Sequence, residues 1–83
     1  MRVRYFAWMK RTVGVPDEEV ALPAEIKTVG DLVAWLRGRS AGHAEALAEG
    51  AAFGAAVDQR TATLDASLAG AREVAFFPPF TGG

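Results

Sequence analysis

Cysteine is absent from the 83 residues, and histidine occurs once. Without a thiol there is no disulfide, no thiolate metal site and no cysteine nucleophile, and one imidazole cannot build a metal centre by itself. An excess of either charge is also missing. Nine Lys and Arg stand against ten Asp and Glu, a formal net of −1, and the two signs are interspersed. That balance argues against a nucleic-acid module, whose footprint is a basic patch or stripe. No apolar run approaches the ~20 residues that a membrane-spanning helix requires. Met1-Arg2 leads straight into a strand-like pattern, without the apolar segment of a signal peptide. The expectation is a cytoplasmic chain that binds neither nucleic acid nor membrane. Length excludes more: the chain makes one small domain. On folding it hides only ~60–65% of its unfolded surface, which leaves no room for a deep substrate pocket. Hydrophobic residues make up 51%, but 17 of those 42 are alanine, so the effective core is smaller than the fraction suggests.

From Arg2 to Met9, Val3, Tyr5, Ala7 and Met9 alternate with Arg2, Arg4, Phe6 and Trp8, a period-2 pattern that predicts a strand. Lys10 to Gly14 reads as a turn or short helical connection, and Glu18 to Leu22 as a second strand ended by Pro23. So few residues separate the two that an antiparallel hairpin is the simplest pairing. Thr28 suits a helix N-cap, with Asp31 at the third helical position. Val29, Leu32, Val33 and Leu36 then form one apolar stripe, flanked by Trp35 and stopped by Gly38. An alanine-rich helical segment follows from about His43 to Glu49. Gly54 to Val57 is short and apolar, Asp58-Gln59 offers turn chemistry, and Leu64 to Leu68 resembles a short strand or turn. Glu73 to Phe77 is a strand halted by Pro78-Pro79, since proline cannot donate to a ladder. A hairpin, one main helix and a return of strands is an α+β order with the helix across one face of a mixed sheet. If the last strand returns beside the first, the two run parallel. That is the β-grasp, or ubiquitin-like, architecture, expected over residues 1–79 with a flexible tail at 80–83.

The tail carries the chemistry. Glycines near a chain end are commonplace. The functional alternative is that the terminal carboxylate of Gly83 is itself the reactive group. Such a carboxylate, of pKa ~3.5, is a poor electrophile and needs activation, for example as an acyl-adenylate. Gly82 and Gly83 lack Cβ atoms and let the backbone thread a narrow channel. Pro78-Pro79 stiffens the base of the tail and lowers the entropy lost on insertion.

Glu73-Val-Ala-Phe-Phe-Pro-Pro-Phe-Thr-Gly-Gly83 resembles the C-terminal signature of the small, sulfur-carrying subunit family of molybdopterin synthase. Tyr5-Phe6-Ala7, Lys10-Arg11, Val13-Gly14, Thr28-Val29 before Leu32, and Ala55-Ala56-Val57-Asp58-Gln59 carry the resemblance along the chain; the family often has Asn where Asp58 stands. The resemblance implies a chain that is not an enzyme on its own. Gly83 would be adenylated by an E1-like, ATP-using adenylyltransferase and converted to a thiocarboxylate by a sulfur-donating system. The carrier would then dock on a large catalytic subunit and deliver sulfur to precursor Z (cyclic pyranopterin monophosphate). No cofactor or metal is implied for this chain. Pro78, Pro79, Phe80, Thr81 and Gly82 would thread into the partner. A thiamine-thiazole sulfur carrier, and a ubiquitin-like modifier or plain interaction module, share the Gly-Gly ending.

Alternation places Val74 and Phe76 toward the helix stripe and turns Ala75 and Phe77 the other way, with Phe6 outward beside Phe77. Phe77, Ala75 and Phe6 are the expected docking face, and Phe80 an anchor for a partner groove. Arg2, Arg4, Lys10 and Arg11 read as a solvated edge, with steering toward an acidic partner as the alternative. His43 is expected to be an exposed helix residue. Asp58, Asp65 and Glu73 are expected in turn and cap roles.

Overall fold

The computed structural model describes residues 1–79. Among these the chain forms β1 (Arg2–Tyr5), α1 (Trp8–Val13), β2 (Asp17–Glu19), α2 (Val29–Arg37), α3 (Ala41–Ala46), β3 (Gly54–Val57), β4 (Arg60–Ala62) and β5 (Glu73–Phe77). The five strands make one mixed sheet in the order β2-β1-β5-β3-β4. β1 pairs antiparallel with β2 and parallel with β5, with Val3 opposite Val74 and Tyr5 opposite Phe76. The last strand thus returns beside the first and runs parallel to it, the condition on which the β-grasp expectation rested.

The main helix begins where its cap is. Thr28 Oγ1 accepts from the Asp31 N–H, and the Asp31 carboxylate accepts from the Thr28 N–H, closing a capping box. The next orphan donors of that terminus, Val29 N–H and Gly30 N–H, reach the carbonyls of Ala66 and Leu64. The 64–68 segment, expected as strand or turn, is therefore a turn that caps α2, touching sheet geometry only where Ser67 bridges Thr28. Val29, Leu32 and Leu36 are fully buried against Val3, Val74 and Phe76 of the sheet, with Met9 and Leu47 closing the ends. Each such side chain contributes about 1.5–3 kcal/mol by leaving water. Phe76 is wedged between Tyr5, stacked at 6.2 Å, and Phe53, edge-on at 5.9 Å.

Four sequence expectations are corrected. The first strand stops at Tyr5 rather than Met9, because Ala7 takes a positive φ of 54° and the chain turns into α1, which buries Met9 from a helix instead of a strand. The second strand is Asp17–Glu19, earlier and shorter than 18–22. Helix α3 starts at Ala41, since Ser40 Oγ accepts from the His43 N–H and caps it there. The fourth strand is Arg60–Ala62. Asp58 and Gln59, at φ 47° and 71°, form the two-residue turn of a β3–β4 hairpin. Asp58 Oδ1 also accepts from the N–H groups of Arg72 and Glu73 at 2.9 and 3.0 Å, pinning the start of β5, and these donors lower its pKa. Glu73 faces Arg4 at 3.8 Å, and Asp65 is bonded to the Thr63 hydroxyl. Turn, cap and pairing roles account for all three carboxylates.

The expectation for His43 fails outright. It is 7% exposed, its Nε2 2.7 Å from Glu18 Oε2 and its Nδ1 2.7 Å from Ser40 Oγ. The Tyr5 hydroxyl donates to the same Glu18 oxygen at 2.7 Å, and Arg39 approaches the other at 3.8 Å. An ionised carboxylate only accepts, so Nε2 carries a proton and donates to it. This network ties β2 and α3 to the underside of β1. Helices α1 and α3 meet so closely that a Cβ on Gly42 would overlap the Thr12 carbonyl oxygen.

Partial burial of Glu18 opposes its ionisation. The hydrogen bonds from His43 and Tyr5, with the charges of His43 and Arg39, outweigh that burial and hold its pKa below the usual value. A depressed carboxylate contributes stability above its unfolded-state pKa of ~4.3, lost as pH falls through the lower folded value. Glu18→Gln should flatten the acid limb of urea midpoints measured from about pH 7 down to about pH 3. An acid limb as steep as that of the native chain would assign the loss to other carboxylates. Tyr5, buried and bonded to Glu18, has its phenol pKa pushed far up.

Candidate docking site at the C-terminal end of the sheet

Because β5 is the central strand, its end is flanked on both sides, by the β1 exit and by the β3 entry. Val74 and Phe76 point into the core, so Phe77 emerges on the opposite face, half-buried. The Phe6 N–H donates to the Phe76 carbonyl at 3.0 Å, carrying the parallel pairing one residue past Tyr5. Phe6 is thereby set beside Phe77, 40% exposed, with the Arg4 guanidinium 5.1 Å from its ring centre. Ala7, at positive φ, turns the chain away at once into α1. Phe6, Ala7, Phe77, Pro78 and Pro79 line an open hollow of about 480 Å³ at the point where the chain leaves the sheet.

Phe6 and Phe77 are brought together as expected from alternation, and Pro78 and Pro79 form the outer wall. Ala75, expected on the docking face, is 7% exposed: its small side chain sits in the middle of β5, between β1 and β3, and offers almost no surface of its own. Phe80, Thr81, Gly82 and Gly83, and with them the expected flexible tail, lie outside the described residues. The basic cluster divides. Arg2 pairs with Asp17 at 2.9 Å and Glu19 at 3.5 Å, and Arg4 with Glu73, whereas Lys10 and Arg11 are exposed on α1. Sequence reasoning missed the role of Ala7, because a positive φ at alanine has no signal in composition or period.

Trp8, Val15 and Leu64 are exposed elsewhere, and further hollows lie beside Phe53 and Leu64 and beside Leu22 and Leu68. Among the described residues no group of three or more His, Asp or Glu is placed to hold a metal ion, and no helix is long and apolar enough to cross a membrane. The one buried imidazole is committed to Glu18 and Ser40, away from the lip. The lip itself is built from aromatic rings, prolines and an alanine, side chains suited to contact rather than to chemistry.

A five-stranded mixed sheet with β1 and β5 parallel at its centre and α2 across one face is a ubiquitin-like β-grasp domain, here with an apolar lip beside the departing C-terminal strand. Residues 3–83 match the ThiS family, and the chain belongs to it. It is 40% identical over 83 residues to the molybdopterin synthase sulfur carrier subunit of Escherichia coli strain K12, covering all of this chain and 99% of that one. Among solved structures it resembles the putative molybdopterin converting factor subunit 1 of Pyrococcus furiosus, with TM-score 0.72, 29% identity and 95% of each chain covered. It also resembles small archaeal modifier protein 1 of H. volcanii, with TM-score 0.73, 25% identity and 96% and 97% covered.

Proposed function

We propose that this chain is the sulfur carrier of a molybdopterin synthase. The observation that carries the reading is the 40% identity to the E. coli carrier subunit over essentially the whole of both chains. The apolar lip at the base of a Gly-Gly ending supports it. In this reading the Gly83 carboxylate attacks the α-phosphorus of ATP on an E1-like adenylyltransferase, releasing pyrophosphate and leaving an acyl-adenylate. Hydrosulfide, delivered by a sulfur-donating system, displaces AMP and leaves a thiocarboxylate. The carrier docks through Phe6 and Phe77 on the large catalytic subunit, with Pro78 to Gly82 leading into its active site, and sulfur passes to cyclic pyranopterin monophosphate. Two sulfurs per dithiolene require two deliveries. The chain is not itself catalytic: it supplies a nucleophilic sulfur and a docking face, while acids, bases and substrate contacts belong to the partner.

A second reading, that of a protein modifier, has one observation in its favour, the likeness to small archaeal modifier protein 1. Intact mass separates the two. After incubation with ATP, the activating enzyme and a sulfide source, the carrier is expected to gain the difference between one oxygen and one sulfur. Conjugates to lysines without that exchange would favour the modifier.

A further inference from the structure

Gly54 opens β3 directly opposite Phe77 on β5, and the Phe77 ring lies against it. A Cβ built on Gly54 would overlap ring atom Cε1 and stand 2.8 Å from Cζ and 3.0 Å from Cδ1. Carbon atoms pack best at about 3.5–4.0 Å. Backbone conformation is not what demands glycine here, because among the described residues the glycines with positive φ are Gly14, Gly50 and Gly70. Alanine could therefore hold the same strand geometry, and what its methyl would displace is the ring. β5 lies between β3 and β1. The ring accordingly has Gly54 on one flank and, on the other, the hollow it shares with Phe6, Ala7, Pro78 and Pro79. A methyl at position 54 drives the ring roughly 1 Å or more toward Phe6, into the space that an incoming side chain would use.

From this geometry we infer that Gly54 is a positioning residue of the docking face: by lacking a Cβ it seats the Phe77 ring and keeps the hollow open. It acts through Phe77 and touches no reacting atom. The inference rests on the reading of the Phe6–Phe77 lip as the surface that meets the large subunit.

The test is a double-mutant cycle of Gly54→Ala and Phe77→Ala in the full chain, reading affinity for the large subunit and Tm. Gly54→Ala alone is expected to weaken binding about tenfold. In the Phe77→Ala background, with no ring to seat, the same change should leave affinity unaltered. Tm there should be level or higher, because alanine narrows the unfolded ensemble relative to glycine. Equal weakening in both backgrounds, or normal binding by Gly54→Ala, would overturn the inference. The ring also leaves a signature independent of any partner, a ring-current shift of the Gly54 α protons that Phe77→Ala should abolish. No such shift, with binding still lost in Phe77→Ala, would overturn the seat alone. Undiminished binding by Phe77→Ala with the shift present would overturn the docking assignment itself, and the inference with it.

Discussion

Removing Gly83, or appending residues after it, is expected to abolish ATP-dependent activation and sulfur transfer while leaving the unfolding transition in place. An extended chain presents an amide where the acyl-adenylate must form, and an amide has no free carboxylate oxygen to attack phosphorus. For the extended chain loss should therefore be to background rather than partial, whereas a chain ending at Gly82 keeps a carboxylate but holds it one residue, about 3.5 Å, short of the activating site. The fold should not notice, because the buried cluster of the described chain runs from Val3 to Phe76 and is closed by α2, Met9 and Leu47. Intact mass of the reacted protein and a thermal melt check the two halves separately. A thiocarboxylate formed on an unprocessed, extended chain would refute the terminal-carboxylate chemistry.

The second large effect is at the lip. Phe77→Glu should weaken binding to the large subunit by about 2 kcal/mol or more, roughly thirtyfold, because a charged side chain replaces an aromatic anchor at the centre of an apolar contact. Titration calorimetry with the large subunit measures it. Stability should fall by no more than about 1 kcal/mol, since the ring lies half-buried on the face away from α2, against Gly54 and the lip. A collapse of Tm would mean that Phe77 belongs to the core.

What was legible in the sequence is what local physics decides. Helix α2 carries its own cap, stripe and stop, so Val29–Arg37 could be read without tertiary information. The last strand is bounded by Pro78-Pro79, and period places Val74 and Phe76 inward with Phe77 emergent, whereas Ala75, turned outward by the same period, is buried as well. The failures share one cause, a long-range partner. Met9 continues the alternation of Val3 and Tyr5, yet reaches the core through a short helix whose six residues are too few to show their own period. Arg60–Ala62 is a polar edge strand that exists because Val57 and Arg60 pair across the Asp58-Gln59 turn. His43 looks exposed among alanines and glutamates because Glu18, which buries it, stands 25 residues earlier. The site divides in the same way. Phe6 and Phe77 were accessible by alternation, whereas the seat at Gly54 is created by a pairing across β3 and β5 that no local spacing encodes.

The placement of β5 has a mechanical consequence. Any partner that draws on the chain beyond Pro79 pulls along the axis of a strand held by β1 on one side and β3 on the other. Such a load is borne in shear: the ladder bonds share the force and must yield together, whereas an edge strand can be peeled one bond at a time. The far end is anchored as well, since Asp58 grips the amides of Arg72 and Glu73 where β5 begins. Traction applied to the tail is thus spread through the middle of the sheet.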